Sequence, residues 1–217
     1  MTPRAVLFDC DGVLVDSEPV AFEMLAAELS VQGLPMRPDQ IEHLFLGGTM
    51  TGLFQQARQL GATLPDDWVS DFYGRFYARL AQGTPLIDGI ETVLDALDAA
   101  RIPYAVGSNG TEQKMQVTLG QHPALLDRLQ GRPFSGQSLG APKPAPDLYL
   151  HAARALGVAA SHCVVVEDSP TGCIAARRAG MKCYGYAARN DGARLAAEGA
   201  ILFHRMQDLP ALLGLPA

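Results

Sequence analysis

Four short apolar runs, separated by segments with helical periodicity, most constrain what this sequence can fold into. Each run is too short for a helix and is apolar on both faces, as a strand inside a parallel sheet must be. The segments between the runs repeat apolar residues every three to four positions, which places those residues on one face of a helix. Strands that alternate with helices predict right-handed βαβ units, and therefore a Rossmann-like α/β core with helices on both faces of a parallel sheet. The predicted strands are residues 5–8, 102–107, 163–166 and 182–186, and the predicted helices are residues 90–100, 145–156 and 171–179.

Residues 17–84 interrupt this alternation, because they keep helical spacing throughout and contain no strand-like run. Clusters of turn-forming residues bound the segment, at positions 16–19 and 83–85. A crossover helix between two parallel strands needs only about a dozen residues, so the segment is too long to be a single crossover. We predict that it is an all-helical cap domain inserted after the first strand, and that residues 1–16 and 85–217 form the core domain.

The composition excludes several classes of protein. With 48% hydrophobic residues among 217, the chain can bury a core, which excludes disorder as its main state. Its 17 Lys and Arg against 23 Asp and Glu give a net charge of −6, so neither nucleic acid nor an anionic membrane is expected as a partner. No apolar run approaches the roughly 20 residues of a membrane span, and residues 5–8 are too few for a signal peptide. Four cysteines without C-x-x-C spacing indicate reduced thiols, and we expect a cytoplasmic protein that is a monomer.

An acid pair directly follows the first predicted strand, in the sequence Phe8-Asp-Cys-Asp-Gly-Val13. Side chains two residues apart on extended backbone point to the same side, so Asp9 and Asp11 face one space at the carboxyl end of the strand. Open α/β sheets bind their ligands at that end. Two close carboxylates raise each other's pKa unless a cation lies between them, so one can be an ionised nucleophile or Mg²⁺ ligand while the other carries a proton. For this motif alone, a solvated loop with two acids is an equal alternative.

Polar residues also follow the other predicted strands. Ser108 and Asn109 precede a helical segment, where a hydroxyl and backbone N–H groups suit a phosphate, although helix capping alone would explain them. Lys143 lies among prolines that stiffen its backbone, so it is placed to balance phosphate charge or to hold an aspartate nucleophile, unless it is simply exposed. Glu167 and Asp168 offer the hard oxygen ligands that Mg²⁺ prefers, and capping would explain Asp168 but not Glu167.

Together these four positions predict phosphoryl chemistry with magnesium at one edge of the sheet. Asp9 would attack phosphorus to give an aspartyl-phosphate, and Asp11 would protonate the leaving oxygen and then deprotonate water. Mg²⁺ is the expected cofactor, held by Asp9, Asp168 and Glu167. The remaining phosphate oxygens would contact three side chains, those of Ser108, Asn109 and Lys143.

The four motifs, in this order, resemble those of the haloacid dehalogenase-like hydrolases, in the β-phosphoglucomutase-like branch with a helical cap after the first motif. The resemblance covers essentially the whole chain. It rests on Phe8-Asp-Cys-Asp-Gly-Val-Leu-Val-Asp-Ser17, Gly107-Ser-Asn-Gly110, Lys143-Pro and Val166-Glu-Asp-Ser169. The resemblance implies that Asp9 is the nucleophile and that Asp11 is the acid/base, which also binds Mg²⁺ through its carbonyl. It also implies that Glu167 and Asp168 are the acidic metal motif.

Within that branch, residues 106–116 and 134–136, with shorter segments between 151 and 181, resemble the bacterial 6-phosphogluconate phosphatases. The resemblance implies a phosphatase acting on a small phosphorylated sugar or sugar acid, with 6-phosphogluconate as the best guess. A phosphosugar mutase is the main alternative. Mutases of this branch carry a histidine where this chain has Ala21 and an arginine where it has Met50, so both departures favour hydrolysis.

Two further classes of protein compete with this interpretation. The sequence Gly136-Gln-Ser-Leu-Gly140 matches the nucleophile elbow of serine esterases, with Asp168 and His204 in the right chain order. The elbow requires a strand before Ser138 and a helix after it, and the sequence around Ser138 predicts neither. A non-enzymatic binding module on the same fold would show a degraded acid pair or lack the lysine, and neither is seen.

Overall fold

The computed structural model of the chain describes residues 2–45 and 48–215, with Phe45 described by its backbone only. The strands in these ranges are β1 (Ala5–Phe8), β2 (Tyr104–Ser108), β3 (Pro133–Ser135), β4 (Cys163–Glu167), β5 (Lys182–Tyr186) and β6 (Ile201–Phe203). They form one parallel sheet in the order β3-β2-β1-β4-β5-β6. Strand β1 therefore lies inside the sheet, hydrogen-bonded to β2 on one side and to β4 on the other.

Helices precede or follow each of these strands. Before β2 the structure has α1 (Glu18–Val31), α2 (Pro38–Phe45), α3 (Met50–Gln59), α4 (Trp68–Leu80) and α5 (Ile90–Ala99). After β2 it has α6 (Glu112–Leu119), α7 (Pro123–Leu129), α8 (Asp147–Ala155), α9 (Pro170–Arg178), α10 (Ala193–Ala197) and α11 (Leu209–Leu212). The predicted α/β fold is confirmed. Judged by length and hydropathy, no helix in the described ranges could span a bilayer.

Both faces of the sheet are buried. Alternate residues of β1 face opposite sides, so that Val6 and Phe8 pack into an apolar cluster with α5, while Ala5 and Leu7 pack into a second cluster with α8 and α9. Full burial of a side chain such as that of Val6, Leu7 or Phe8 contributes about 1.5–3 kcal/mol to the free energy of folding. The two helical layers therefore cover the faces of the sheet and leave the carboxyl ends of its strands as the edge where polar side chains collect.

Helices α1–α4 pack around a third apolar cluster, separate from the two against the sheet. The ring of Trp68 stacks on that of Phe72 with their centroids 5.1 Å apart. A hydrogen bond of 2.5 Å joins the hydroxyl of Tyr77 on α4 to that of Thr111 before α6. The segment predicted to be helical is therefore helical, and its division from the core as a cap domain over 17–84 stays a prediction.

The sequence analysis missed β3 and β6 and placed β2 too early. Strand β3 has three residues and begins with Pro133, which has no N–H to donate, so its own pattern gives no strand signal. It forms because β2 offers a pairing edge, with Gly107 opposite Phe134. Strand β2 begins at Tyr104, directly after Pro103, since a proline cannot donate a hydrogen bond within the ladder.

Candidate active site

Three strands end side by side at one edge of the sheet, and the predicted site residues lie there. Asp9 follows β1, Ser108 ends β2 and Glu167 ends β4. Carboxylate oxygens of Asp9, Glu167 and Asp168 all lie within 4.8 Å of one another. The ammonium of Lys143 contacts the carboxylate of Asp9, 134 positions earlier in the chain. The four predicted motifs therefore meet at one place.

Asp9 is 7% exposed and lies between this lysine and other acids. Burial raises the pKa of Asp9; the ammonium of Lys143 opposes the shift, whereas the nearby carboxylates of Glu167 and Asp11 add to it. The result is a pKa of about 7. A carboxylate in this position is therefore held in place by one cation while it is destabilised by its acidic neighbours.

Asp11 accepts hydrogen bonds from three side chains. Its oxygens lie 2.5 Å from the hydroxyl of Ser17, 3.3 Å from that of Ser108 and 2.7 Å from the ammonium of Lys114. Burial alone would raise the pKa of Asp11, but the charge of Lys114 and these hydrogen bonds hold it below its usual value. In this arrangement Asp11 is ionised, which is the form that can accept a proton from water.

Lys143 is buried, with its side chain 2% exposed. Its ammonium contacts Asp9 and lies 2.6 Å from an oxygen of Glu167, so it holds the candidate nucleophile against the end of β4. Burial would lower the pKa of Lys143, and the two carboxylates instead keep it above its usual value. Of the two roles that the sequence left open, the structure shows the contact with the aspartate.

The backbone of Lys143 is fixed by the side chain of Asn109. Its N–H donates to Asn109 Oδ1 at 2.7 Å, and its carbonyl accepts from Asn109 Nδ2 at 3.0 Å. Asn109 thus joins the loop after β2 to the loop that carries the lysine. Its direct contact with phosphate, expected from the sequence, stays a prediction.

Glu167 is completely buried, and its carboxylate accepts five hydrogen bonds. One oxygen accepts from Lys143 and from the hydroxyl of Tyr149 at 2.7 Å. The other accepts from the backbone N–H groups of Asp168 and Ser169, at 3.1 and 3.0 Å, and from the Ser169 hydroxyl at 2.9 Å. This carboxylate is the most constrained group of the site.

Asp168 lies against the turn that follows β1. Gly12 has a φ of +76°, and a Cβ at this position would lie 1.9 Å from Asp168 Oδ2. Glycine is therefore required twice, by the left-handed backbone and by the close approach of the carboxylate. Burial raises the pKa of Asp168 well above its usual range, and the charges of Glu18 and Asp9 raise it further.

The residues present fit a divalent cation. Asp9, Asp168 and Glu167 offer hard oxygen atoms close together, the donor set that Mg²⁺ prefers. Burial, first, and the neighbouring carboxylates, second, raise the pKa values of Asp9 and Asp168, and the charge of Lys143 only partly opposes these shifts. A cation among these oxygens would offset the repulsion.

A cavity of about 130 Å³ opens over these groups. Its floor includes the side chains of Asp9, Asp11 and Lys143, and its opposite wall comes from α1, α3 and α4. That wall is mostly apolar, and it includes Ala21 and Met50. Candidate reacting groups thus face a cleft between the sheet and the helical segment.

Sequence reasoning missed three residues of the site, namely Lys114, Tyr149 and Glu18. Lys114 lies in the first turn of α6, six residues after Ser108, and only the fold brings it to Asp11. Tyr149 lies on the buried face of α8, where an aromatic residue is equally well explained by packing. The carboxylate of Glu18, which starts α1, has its pKa raised to about 8 by burial and by Asp11.

The model of the haloacid dehalogenase-like hydrolase family matches residues 3–180. The 6-phosphogluconate phosphatase of Escherichia coli (strain K12) is 30% identical over 210 residues, 96% of this chain and 94% of the relative. The phosphoglycolate phosphatase of Xanthomonas campestris pv. campestris (strain 8004) is 35% identical over 185 residues, 82% of this chain and 80% of the relative.

A solved structure is also similar over nearly the whole chain. The conserved haloacid dehalogenase-like protein ATU0790 of Agrobacterium tumefaciens str. C58 superposes with a TM-score of 0.85 at 31% identity, covering 97% of each chain. The phosphatase names of both curated relatives support the prediction that this chain is a phosphatase. From the family match, the fold and the four converging motifs, we conclude that the chain belongs to the haloacid dehalogenase-like hydrolases.

Proposed function

We propose that this chain is a Mg²⁺-dependent phosphatase that hydrolyses small sugar phosphates through an aspartyl-phosphate on Asp9. The observation that carries the proposal is the convergence of Asp9, Glu167 and Asp168 within 4.8 Å, with Lys143 in contact with Asp9. A buried carboxylate held by a lysine beside a cation site is suited to attack phosphorus. The cytoplasmic location and the monomeric state stay predictions.

The proposed reaction has two displacements at phosphorus. An oxygen of Asp9 forms a bond to phosphorus while the ester P–O bond breaks. Asp11, ionised in the free protein, takes up a proton from solvent when the ester binds, and it gives that proton to the departing oxygen so that the alcohol leaves neutral. Water then attacks the phosphorus of the aspartyl-phosphate, Asp11 takes a proton from that water, and Asp9 is released with inorganic phosphate. Lys143 keeps Asp9 in position throughout.

Four residues would hold the cation: Asp9, Glu167 and Asp168 with their carboxylates, and Asp11 with its backbone carbonyl. When bound, Mg²⁺ neutralises charge on the phosphoryl oxygens and on the carboxylates around it. The hydroxyl of Ser108, the amide of Asn109 and the ammonium of Lys143 are the proposed contacts for the remaining phosphoryl oxygens. Ser108 lines the cavity beside Asp11, which is consistent with such a contact.

The two relatives suggest which esters to try first. Their names refer to 6-phosphogluconate and phosphoglycolate, each of which is a phosphate monoester of a hydroxy acid. We propose 6-phosphogluconate as the first candidate substrate, because that relative matches over 96% of this chain.

Phosphate release is expected only with Mg²⁺. We expect turnover of at least one member of a panel of sugar and sugar-acid phosphates, and its complete loss with excess EDTA, because the carboxylates would then repel the anionic ester. Inorganic phosphate is the quantity to measure, and added Mg²⁺ should restore the rate. Equal rates with EDTA and with Mg²⁺ would contradict the proposal.

A phosphosugar mutase is the second candidate, and the cavity disfavours it. Ala21 and Met50 line the cavity at the two positions where mutases of this branch carry histidine and arginine. An alanine and a methionine offer no charge to a second phosphate. Conversion of β-glucose 1-phosphate to glucose 6-phosphate without phosphate release would favour the mutase instead.

A serine esterase using Ser138 finds no support in the local structure. Residues 136–140 form turns after the three-residue strand β3, and no helix follows Ser138 directly. The nucleophile elbow requires a strand-to-helix turn that exposes the serine hydroxyl. The motif at 136–140 is therefore explained as a loop.

Asp11→Asn is expected to accumulate a phosphoenzyme. An amide cannot take a proton from water, so hydrolysis of the aspartyl-phosphate should slow by about a hundredfold or more. An ester with a good leaving group, p-nitrophenyl phosphate, is the right donor, because its first step does not depend on the acid. Intact mass after acid quench should show one added phosphoryl group on the variant.

Asp127→Asn, which removes an exposed carboxylate on α7, is the matched control for this variant. It should behave as the parent in both the mass measurement and the turnover rate. If Asp11→Asn turned over as fast as the parent, Asp11 would not carry the proton.

A further inference from the structure

Lys114 is a second, partly buried cation at the site, and the proposed reaction does not use it. Its side chain is 14% exposed, and its ammonium lies 2.7 Å from Asp11 Oδ1 and 5.5 Å from the centre of the Phe76 ring. It reaches the cavity from the first turn of α6, where Thr111 caps the helix. Lys114 thus lies between the candidate acid/base and the aromatic wall contributed by α4.

Among the described residues that line the cavity, Lys114 and Lys143 are the basic ones. Lys143 is enclosed between the carboxylates of Asp9 and Glu167, on the side where the phosphoryl group would bind. Lys114 has one carboxylate partner, and its ammonium lies over the ring of Phe76 on α4, the side of the cavity away from Lys143 where we expect the rest of the substrate. Its position suits a second anionic group on the substrate.

The other side chains around Lys114 in the cavity do not stabilise an anion. Phe22, Leu25, Leu53 and Phe76 supply apolar surface, and Glu18 supplies a carboxyl group, which offers an anion no positive charge. An anion that lies against such walls loses part of its hydration, and a nearby cation offsets that cost. A neutral hydroxyl at the same place would lose much less hydration free energy than a carboxylate.

We propose that Lys114 binds a carboxylate on the leaving group, so that the enzyme prefers phosphate esters of hydroxy acids to those of the matching alcohols. This inference rests on the proposed phosphatase function and names the substrate class of the same site. The ammonium exchanges its contact with Asp11 for one with the substrate. Asp11 then keeps the hydroxyl of Ser17 as a donor and faces the ester oxygen.

Two pairs of phosphate esters isolate the effect of a substrate carboxylate on kcat/KM. 6-Phosphogluconate and sorbitol 6-phosphate differ only in a carboxylate or a CH₂OH group, and so do phosphoglycolate and 2-hydroxyethyl phosphate. The parent should show a higher kcat/KM for the acid of at least one pair. Lys114→Met, which keeps an apolar chain against Phe76, should lower that acid-to-alcohol ratio about tenfold or more, the usual loss for a hydrogen bond between charged groups.

Lys182→Met is the matched control. Lys182 is exposed at the start of β5, away from the carboxyl edge of the sheet, and its ammonium also lies over an aromatic ring, 4.8 Å from the centre of Tyr184. It should leave the ratio unchanged. If Lys114→Met slowed the acid and the alcohol of both pairs by the same factor, Lys114 would act on Asp11 alone and the inference would be overturned.

Binding to a variant that does not turn over separates this inference from the proposed function. Calorimetric titration of Asp9→Asn with both members of each pair gives Kd values, and from them an acid-to-alcohol ratio of affinities. The same titrations of the double variant, which also carries Lys114→Met, show whether Lys114 determines that ratio. Absence of turnover with every ester would refute the phosphatase and leave this measurement intact. A Kd ratio that Lys114→Met does not change in either pair would refute carboxylate binding by Lys114.

Discussion

The Asp9→Asn variant is expected to release no phosphate above background from any ester that the parent hydrolyses, a fall of about a thousandfold or more in kcat. The amide nitrogen and oxygen of asparagine are too weakly nucleophilic to form the acyl phosphate. Its two carboxylate neighbours are not free to replace Asp9, because buried Glu167 accepts five hydrogen bonds and Asp11 is held by Ser17, Ser108 and Lys114.

The fold of Asp9→Asn should survive without metal. Because the folded protein raises the pKa of Asp9 from about 3.8 to about 7, the folded state binds this proton more tightly than the unfolded chain. By linkage, the contribution of Asp9 to stability falls as the pH rises from about 4 to about 7. A neutral side chain avoids that loss, so at pH 8 in EDTA the variant should unfold at a temperature no lower than the parent.

Phosphate release, unfolding temperature and intact mass together decide this prediction. The control Asp127→Asn should match the parent in all three measurements, since that carboxylate is exposed on α7. Full activity in a correctly folded Asp9→Asn protein would remove the covalent mechanism. If the variant lost both activity and folding, an unfolding temperature in EDTA below that of the parent would show that Asp9 has a structural role instead.

The second large effect is expected from adding one methyl group at Gly172. A Cβ there would lie 1.7 Å from Glu167 Oε1 and 1.9 Å from its Cδ, distances at which the two groups cannot coexist. Alanine is normally favoured over glycine inside a helix by up to about 1 kcal/mol. Here we expect Gly172→Ala to destabilise the protein by about 3 kcal/mol or more, because Glu167 must leave its five donors and Lys143 loses a partner.

Gly74→Ala is the matched control on α4. No atom outside its own helix lies within 4 Å of a Cβ at this position, so the substitution should stabilise the protein by about 0.5–1 kcal/mol. Urea unfolding gives both free energies, and phosphate release shows whether the site survives. If Gly172→Ala were as stable and as active as the parent, Glu167 would not be fixed as the hydrogen bonds indicate.

The sequence was sufficient to predict the positions of the main motifs because strand ends obey a simple rule. Carboxyl ends of neighbouring parallel strands lie on one edge, so Asp9, Ser108 and Glu167 were expected together once three strands were recognised. The six-stranded parallel sheet and the match to the family model confirm that logic. The motif around Lys143 predicts that this lysine lies with them, and the observed contact between Lys143 and Asp9 agrees with that prediction.

What the sequence could not show are the contacts made by helices. Lys114 meets Asp11 and Tyr149 meets Glu167 because of how α6 and α8 pack, and helical spacing does not tell a site residue from a packed one. The sequence also carries no sign that the amide of Asn109 binds the backbone of Lys143, a contact between two loops; the phosphate contact that the motif predicts for Asn109 stays a prediction. Short strands such as β3 depend on a neighbour for pairing and carry little pattern of their own.

The two hydrogen bonds between Asn109 and the backbone of Lys143 also determine how the effects of substitutions at these two positions should combine. A shorter side chain at 109 releases the loop that carries the lysine, so it removes part of what a substitution at 143 removes. Their effects on phosphate turnover should be strongly non-additive, with the double variant little worse than the Lys143 variant alone. Positions 109 and 143 thus behave as one energetic unit, although they are 34 positions apart in the sequence.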